Sequence, residues 1–208
     1  MVRGCYLCGV TQIPKEHQEL IRRVLGANYL ELDTARLSID EDLHGQTTVR
    51  AQVTERGQTV DIEGKGVGVV DAFFHALLAR YAIEYQSLNT IRLAGFSVSA
   101  DIENGAKDQS GADAVGTVTI EVTNSDGRHF TFSDSSRSVT ASIGRAVVAV
   151  VQYFVNAERA FIMLWGARKD ALERGRADLV ARYTAELSEV VESTSYAEVI
   201  EAKKRELR

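Results

Sequence analysis

One series of structural signals occurs twice in this chain, and a repeat constrains the fold more tightly than any single motif. Residues 29–39 and 47–54 read as strands; in the second, Val49, Ala51 and Val53 alternate with Thr48, Arg50 and Gln52, so one face is buried and the other wet. Residues 55–58 make a hairpin turn, and 59–63 alternate again as a third strand. Val69, Val70, Phe73, Leu77 and Tyr81 then recur every three or four positions, which predicts a helix over about 69–85. The same order returns in strands at 91–101, 117–123 and around Phe130 and Phe132. A small-residue turn at 134–138 follows, then a helix carrying Val139, Ile143, Val147, Val150 and Phe154. Ala76 recurs as Ala146 and Gly57 as Gly127, each 70 positions on, and Val53-Thr54 recurs as Val122-Thr123, 69 on. Two βββα units predict an α+β fold, a pseudo-symmetric domain with sheet on one side and helices on the other.

The flanks differ from the repeat. Residues 12–26 predict an N-terminal helix, with Pro14 in its first turn, Leu20, Ile21, Val24 and Leu25 on one face, and Gly26 closing it. Residues 156–208 lack proline and are rich in Ala, Glu, Arg and Lys, so they predict helices broken near Gly166 and Gly175. Leu179, Tyr183, Leu187 and Val191 offer that extension an apolar stripe. Its charged stretch at 168–178 reads either as a solvated face or as an interaction arm. The expected organisation is a tail and helix at 1–28, a domain at 29–157 with units at 29–86 and 90–157, and a helical extension at 158–208.

Charge and apolar content narrow the function. The chain of 208 residues is 45% hydrophobic and 25% charged, with net charge −5, which argues against a nucleic-acid or anionic-membrane binder. No apolar run approaches bilayer-spanning length and no signal peptide is evident, so the expected location is the cytoplasm. Cys5 and Cys8 form a Cys-x-x-Cys with His17 nearby, but neither a second ligand pair nor a βαβ redox setting accompanies them. No metal and no cofactor are expected.

The stretch 64–68, Gly-Lys-Gly-Val-Gly, stands between a predicted strand and a predicted helix. Read as a tight turn, it needs glycine for positive φ and exposes the unpaired amides of the helix start, a seat for a carboxylate or phosphate. Its spacing is neither that of a dinucleotide fingerprint nor that of a P-loop, and a turn that merely needs glycine is the plainer reading.

Two segments carry a family resemblance. Residues 63–77, Glu-Gly-Lys-Gly-Val-Gly-Val-Val-Asp-Ala-Phe-Phe-His-Ala-Leu, and 111–118, Gly-Ala-Asp-Ala-Val-Gly-Thr-Val, resemble the C-terminal regulatory domain of 2-isopropylmalate and citramalate synthases. That domain binds leucine or isoleucine as feedback inhibitor. The resemblance covers about 29–157 and implies a homodimer of paired βββα units, with the inhibitor near the turns and helix starts at the subunit interface. The ligand residues it implies are Gly64, Gly66, Val67, Gly68, Val69, Asp113, Ala114, Ser136 and Arg137. Amides would take the carboxylate, valines a branched side chain, and Asp113 an ammonium group. The chain departs from the family at Arg137, where an acidic residue is usual, and at Gly95-Phe96, where an aspartate–tyrosine pair is usual.

The expected function is a stand-alone regulatory module sensing a branched-chain amino acid or a related 2-oxo or hydroxy acid, acting on a separate synthase subunit. The alternative is a dimeric scaffold that kept the fold and lost the ligand. A catalytic barrel takes about 250 residues, and no His-x-His or His-Asn-Asp metal cluster occurs in the sequence. Asp71 and His75, four apart on one helix face, are the one close acid–base pair, and for want of a nucleophile or metal His75 reads as a helix-surface or partly buried packing residue. No enzyme is expected.

Overall fold

The computed structural model describes residues 11–42, 45–100 and 114–192. Two antiparallel βββ units form as the repeat predicts. The first is β2 (Leu32–Glu41), β3 (Thr47–Glu55) and β4 (Gln58–Gly66), followed by helix α2 (Val69–Tyr81). The second is β5 (Arg92–Ala100), β6 (Gly116–Thr123) and β7 (His129–Ser136), followed by helix α3 (Val139–Glu173). Even the irregularities repeat: each first strand carries a bulge, between Thr34 and Arg36 in β2 and between Leu93 and Gly95 in β5. Both hairpin turns place a glycine at positive φ, Gly57 and Gly127.

The N-terminal region adds an element that the sequence signals missed. Thr11–Gln12 form a short strand, β1, parallel to β7, so the second sheet has the order β1-β7-β6-β5. Helix α1 (Lys15–Leu25) therefore starts at Lys15 rather than residue 12, with Pro14 in the cap position just before it. Its Leu20, Ile21 and Leu25 are buried, and α1 packs against α3 and against the last helix, α4 (Ala177–Glu192). The predicted strand at 29–39 begins only at Leu32. Side chains of α3 serve the backbone before it: Asn156 takes Leu30 N–H on Oδ1 and donates Nδ2 to Leu30 O, both at 2.7 Å, and Gln152 Oε1 takes Leu32 N–H at 2.7 Å. Two side chains thus do for this segment what a neighbouring strand does elsewhere.

Helix α3 is the spine. Its 35 residues span about 52 Å, and it touches β2, β6, β7, α1, α2 and α4. It does not break at Gly166, contrary to the sequence reading. One interior glycine costs only about 1 kcal/mol, less than the flanking turns supply. The break comes at Gly175, at φ 67°, where Arg176 N–H bonds Ala171 O and Gly175 N–H bonds Leu172 O, a Schellman end. By length and composition α3 could cross a membrane, contrary to the expectation from the apolar runs, but 72% of its apolar stretch is buried inside the fold, which makes it a core helix. Phe130, Phe132, Tyr153 and Phe154 close the core beside it, with the Phe130 and Phe154 rings edge to face at 5.2 Å. Beyond Gly175 the chain folds back. Leu187 and Val190 are buried, and Arg23 pairs with Glu186 at 3.2 Å, so the described part of the extension belongs to the core.

Candidate functional site

The glycine stretch does something other than turn. Gly64 and Gly66 lie within β4, in register with Val49 and Thr47, and none of Gly64, Gly66 and Gly68 has positive φ. What they supply is room. A Cβ on Gly64 would lie 2.5 Å from Ala76 N, and one on Gly66 2.5 Å from Ala72 N. Helix α2 therefore lies with its backbone directly on β4, the alanines facing the glycines. Only Val67 and Gly68 form the turn, and Gly68 caps the helix in extended backbone at φ −160° with open space around it.

Asp71 and His75 fasten this junction. Asp71 Oδ2 accepts from Val67 N–H at 3.0 Å, a helix-start cap supplied from the first turn. His75 Nδ1 lies 3.1 Å from Lys65 O, and because a carbonyl only accepts, Nδ1 carries the proton. The imidazole Nε2 stands 3.7 Å from Asp71 Oδ1. The acid–base pair thus acts in holding strand to helix, as the packing reading expects, and the aspartate four residues after Val67 was the signal for its capping role.

The two helix starts differ. Gly68 brings no side chain to the first turn of α2, so no N-cap side chain takes the amides of Val69 and Val70. Val67 beside them is 90% exposed. At α3, Ser138 Oγ accepts from Ala141 N–H at 3.2 Å, and Ser136 Oγ bonds Ser138 O at 2.9 Å and Ser142 Oγ at 2.8 Å. Ser136 is therefore committed to the turn. Asp134, the counterpart of Gly64, binds Arg145 through contacts of 3.0 and 2.7 Å. Those bonds hold its carboxyl below the ordinary range. Arg137 is exposed and pairs with no acidic side chain among the described residues.

The expected ligand residues fall into two groups. Gly64, Gly66, Val67, Gly68 and Val69 gather at the start of α2. Ala114, Ser136 and Arg137 lie at the end of the second sheet where Gly116 pairs with Ser136. Asp113, Cys5 and Cys8 lie outside the described residues. Two cavities lined by described residues lie elsewhere. One of about 310 Å³ is on the face of β2–β4 turned away from α2, lined by Arg36, Arg50, Asp61 and Glu63. The other, of about 110 Å³, is bounded by Gln18, Tyr29, Gln152 and Asn156.

The repeat, the glycine-backed helix and the doubled sheet agree with one comparison. The family model of the LeuA allosteric (dimerisation) domain matches residues 13–155. The chain belongs to this family. No curated protein sequence matches the chain. The LeuA-type match begins before residue 29, so α1 lies within the matched region. It ends inside α3, leaving the C-terminal part of that helix and α4 beyond it.

Proposed function

We propose that this LeuA-type domain is a regulatory module that senses a branched-chain amino acid or a related 2-oxo or hydroxy acid. It works as a cytoplasmic homodimer on a separate synthase subunit and carries out no catalysis of its own. The observation that carries the reading is the family match over 13–155, joined to a start of α2 whose N-cap residue, Gly68, has no side chain to offer the first amides. The ligand carboxylate sits on the amides of Val69 and Val70, where the helix dipole favours an anion. Its branched side chain packs on Val67. Asp71, already on the Val67 amide, offers a carboxylate to an ammonium group, while Arg137 suits ligands with a second carboxylate.

A specific observation favours the scaffold alternative: the Asp71 carboxylate already sits on the Val67 amide beside the anion seat, where it repels a second carboxylate. A thermal-shift panel of leucine, isoleucine, valine and their 2-oxo acids separates the two. Binding to the folded state stabilises by about 2.7 kcal/mol at a hundredfold excess over Kd, a rise of several degrees for a domain of this size. Val67→Glu adds a negative charge at a solvent-facing position and should abolish the shift without lowering the ligand-free melting point. If no ligand moves the melting point, the scaffold reading stands and the sensing reading falls.

A further inference from the structure

Among the described residues strand β5 is an edge of the four-stranded sheet, and beyond the bulge at Leu93–Gly95 it carries neither the charges nor the proline that keep exposed edges from pairing. From Leu93 to Ala100 it carries no charged residue. The edges of the other sheet are guarded, β2 by Asp33, Arg36, Asp40 and Glu41 and β4 by Asp61, Glu63 and Lys65. The opposite edge, β1, is only two residues long.

Two apolar side chains of β5 are half uncovered. Phe96 and Val98 stand opposite Ile120 and Val118, both fully buried, and so point to the helix-covered face. Yet they remain 48% and 45% exposed. The internal repeat says what is missing. Leu37, which follows its bulge as Phe96 follows the other, is roofed by α3, with Gly144 close enough that a Cβ there would lie 3.8 Å from Leu37 Cδ2. The helix of the second unit covers the first strand of the first unit. Among the described residues no helix does this for β5. Val139, 39% exposed at the start of α3 and packed over Gly116, extends the open apolar strip.

We propose that the uncovered strip of Phe96, Val98 and Val139, together with the edge of β5, is the surface on which a second copy of this chain docks. The inference rests on the homodimer reading above and names its surface. Continuity with the contact between units identifies the occupant: the site lacks the kind of roof that a LeuA-type helix already supplies to β2. Charge fits as well, since the edge is uncharged from Leu93 to Ala100 and two such stretches meet across a two-fold axis without placing like charges opposite one another. Size requires more than the edge. Nine residues make about 30 Å of strand roughly 10 Å deep, about 300 Å² against the ~800 Å² per partner of a stable interface. The apolar strip and the start of α3 must therefore be covered too.

Sedimentation velocity on the full chain, with Phe96→Asp and Val98→Lys, tests this. Because a two-fold interface holds each substitution twice, loss of a central anchor should raise the dimer dissociation constant by about a thousandfold. The expected result is a dimeric wild type, two monomeric variants with unchanged circular dichroism, and a dimeric Ile162→Lys control on the exposed side of α3. A wild type that is dimeric alongside dimeric variants overturns the surface and leaves the homodimer standing on another face. A monomeric wild type overturns both.

Discussion

Gly64 and Gly68 lie four residues apart in one motif and answer to different physics. At Gly64 the space for a side chain is taken by the backbone of Ala72 and Ala76, whereas Gly68 faces open space in extended backbone. Gly64→Ala forces helix from strand and should lower stability by about 3 kcal/mol, while Gly68→Ala should change it by less than about 0.5 kcal/mol. Urea unfolding of the two variants measures this, and equal losses would refute the close-packing account. For the same reason Gly66→Val probes the fold rather than a ligand. Asp134 gives a pH test. Its folded pKa is lowered by Arg145, so the stabilisation is fully present above the unfolded value of about 3.9 and is lost as pH falls through the folded one. The pair is partly exposed, 46% for Arg145 and 25% for Asp134. Asp134→Asn should therefore cost only about 0.5 kcal/mol at pH 7. That penalty should fade in acid, and a penalty unchanged down to the folded pKa would contradict the assignment.

Whole elements were largely legible from periodicity because each buries one face. The alternation of Val49, Ala51 and Val53, and of Val118, Ile120 and Val122, is the buried face of a strand, and the structure buries all six. What failed was reading glycine as punctuation. Gly64 and Gly66 are strand residues and Gly166 is a helix residue, because their role or tolerance is set by what packs around them, which spacing does not report. Gly175, held at positive φ, does end its helix. Gly166→Ala, at an open helical position, should stabilise by about 0.5–1 kcal/mol. Gly175→Ala should destabilise by about 1 kcal/mol, since its φ of 67° is strained for a side chain. Melting temperatures moving in the same direction would contradict the Schellman assignment. β1 went unread because a two-residue strand has no period, and the Leu30 segment because its partners lie in α3, more than a hundred residues away.

At the scale of the molecule, the repeat carried both the fold and the family, since two βββα units leave few ways to bury their sheets. The candidate site was less legible. Its residues were legible as a group at a helix start, but whether a glycine opens a seat or admits a helix depends on approach distances of a few ångströms. The structure divides the two roles: Gly64 and Gly66 admit α2, and Gly68 leaves its first amides uncapped. The central claim is that a branched-chain carboxylate occupies those amides. Isothermal titration of the wild type and of Val67→Glu with leucine, isoleucine, valine and their 2-oxo acids tests it most directly. The account predicts saturable binding of at least one ligand, with one site per chain and a negative heat-capacity change from apolar burial, lost in Val67→Glu. Absence of saturable binding by every ligand across a temperature series, or equal binding by the two proteins, would contradict it.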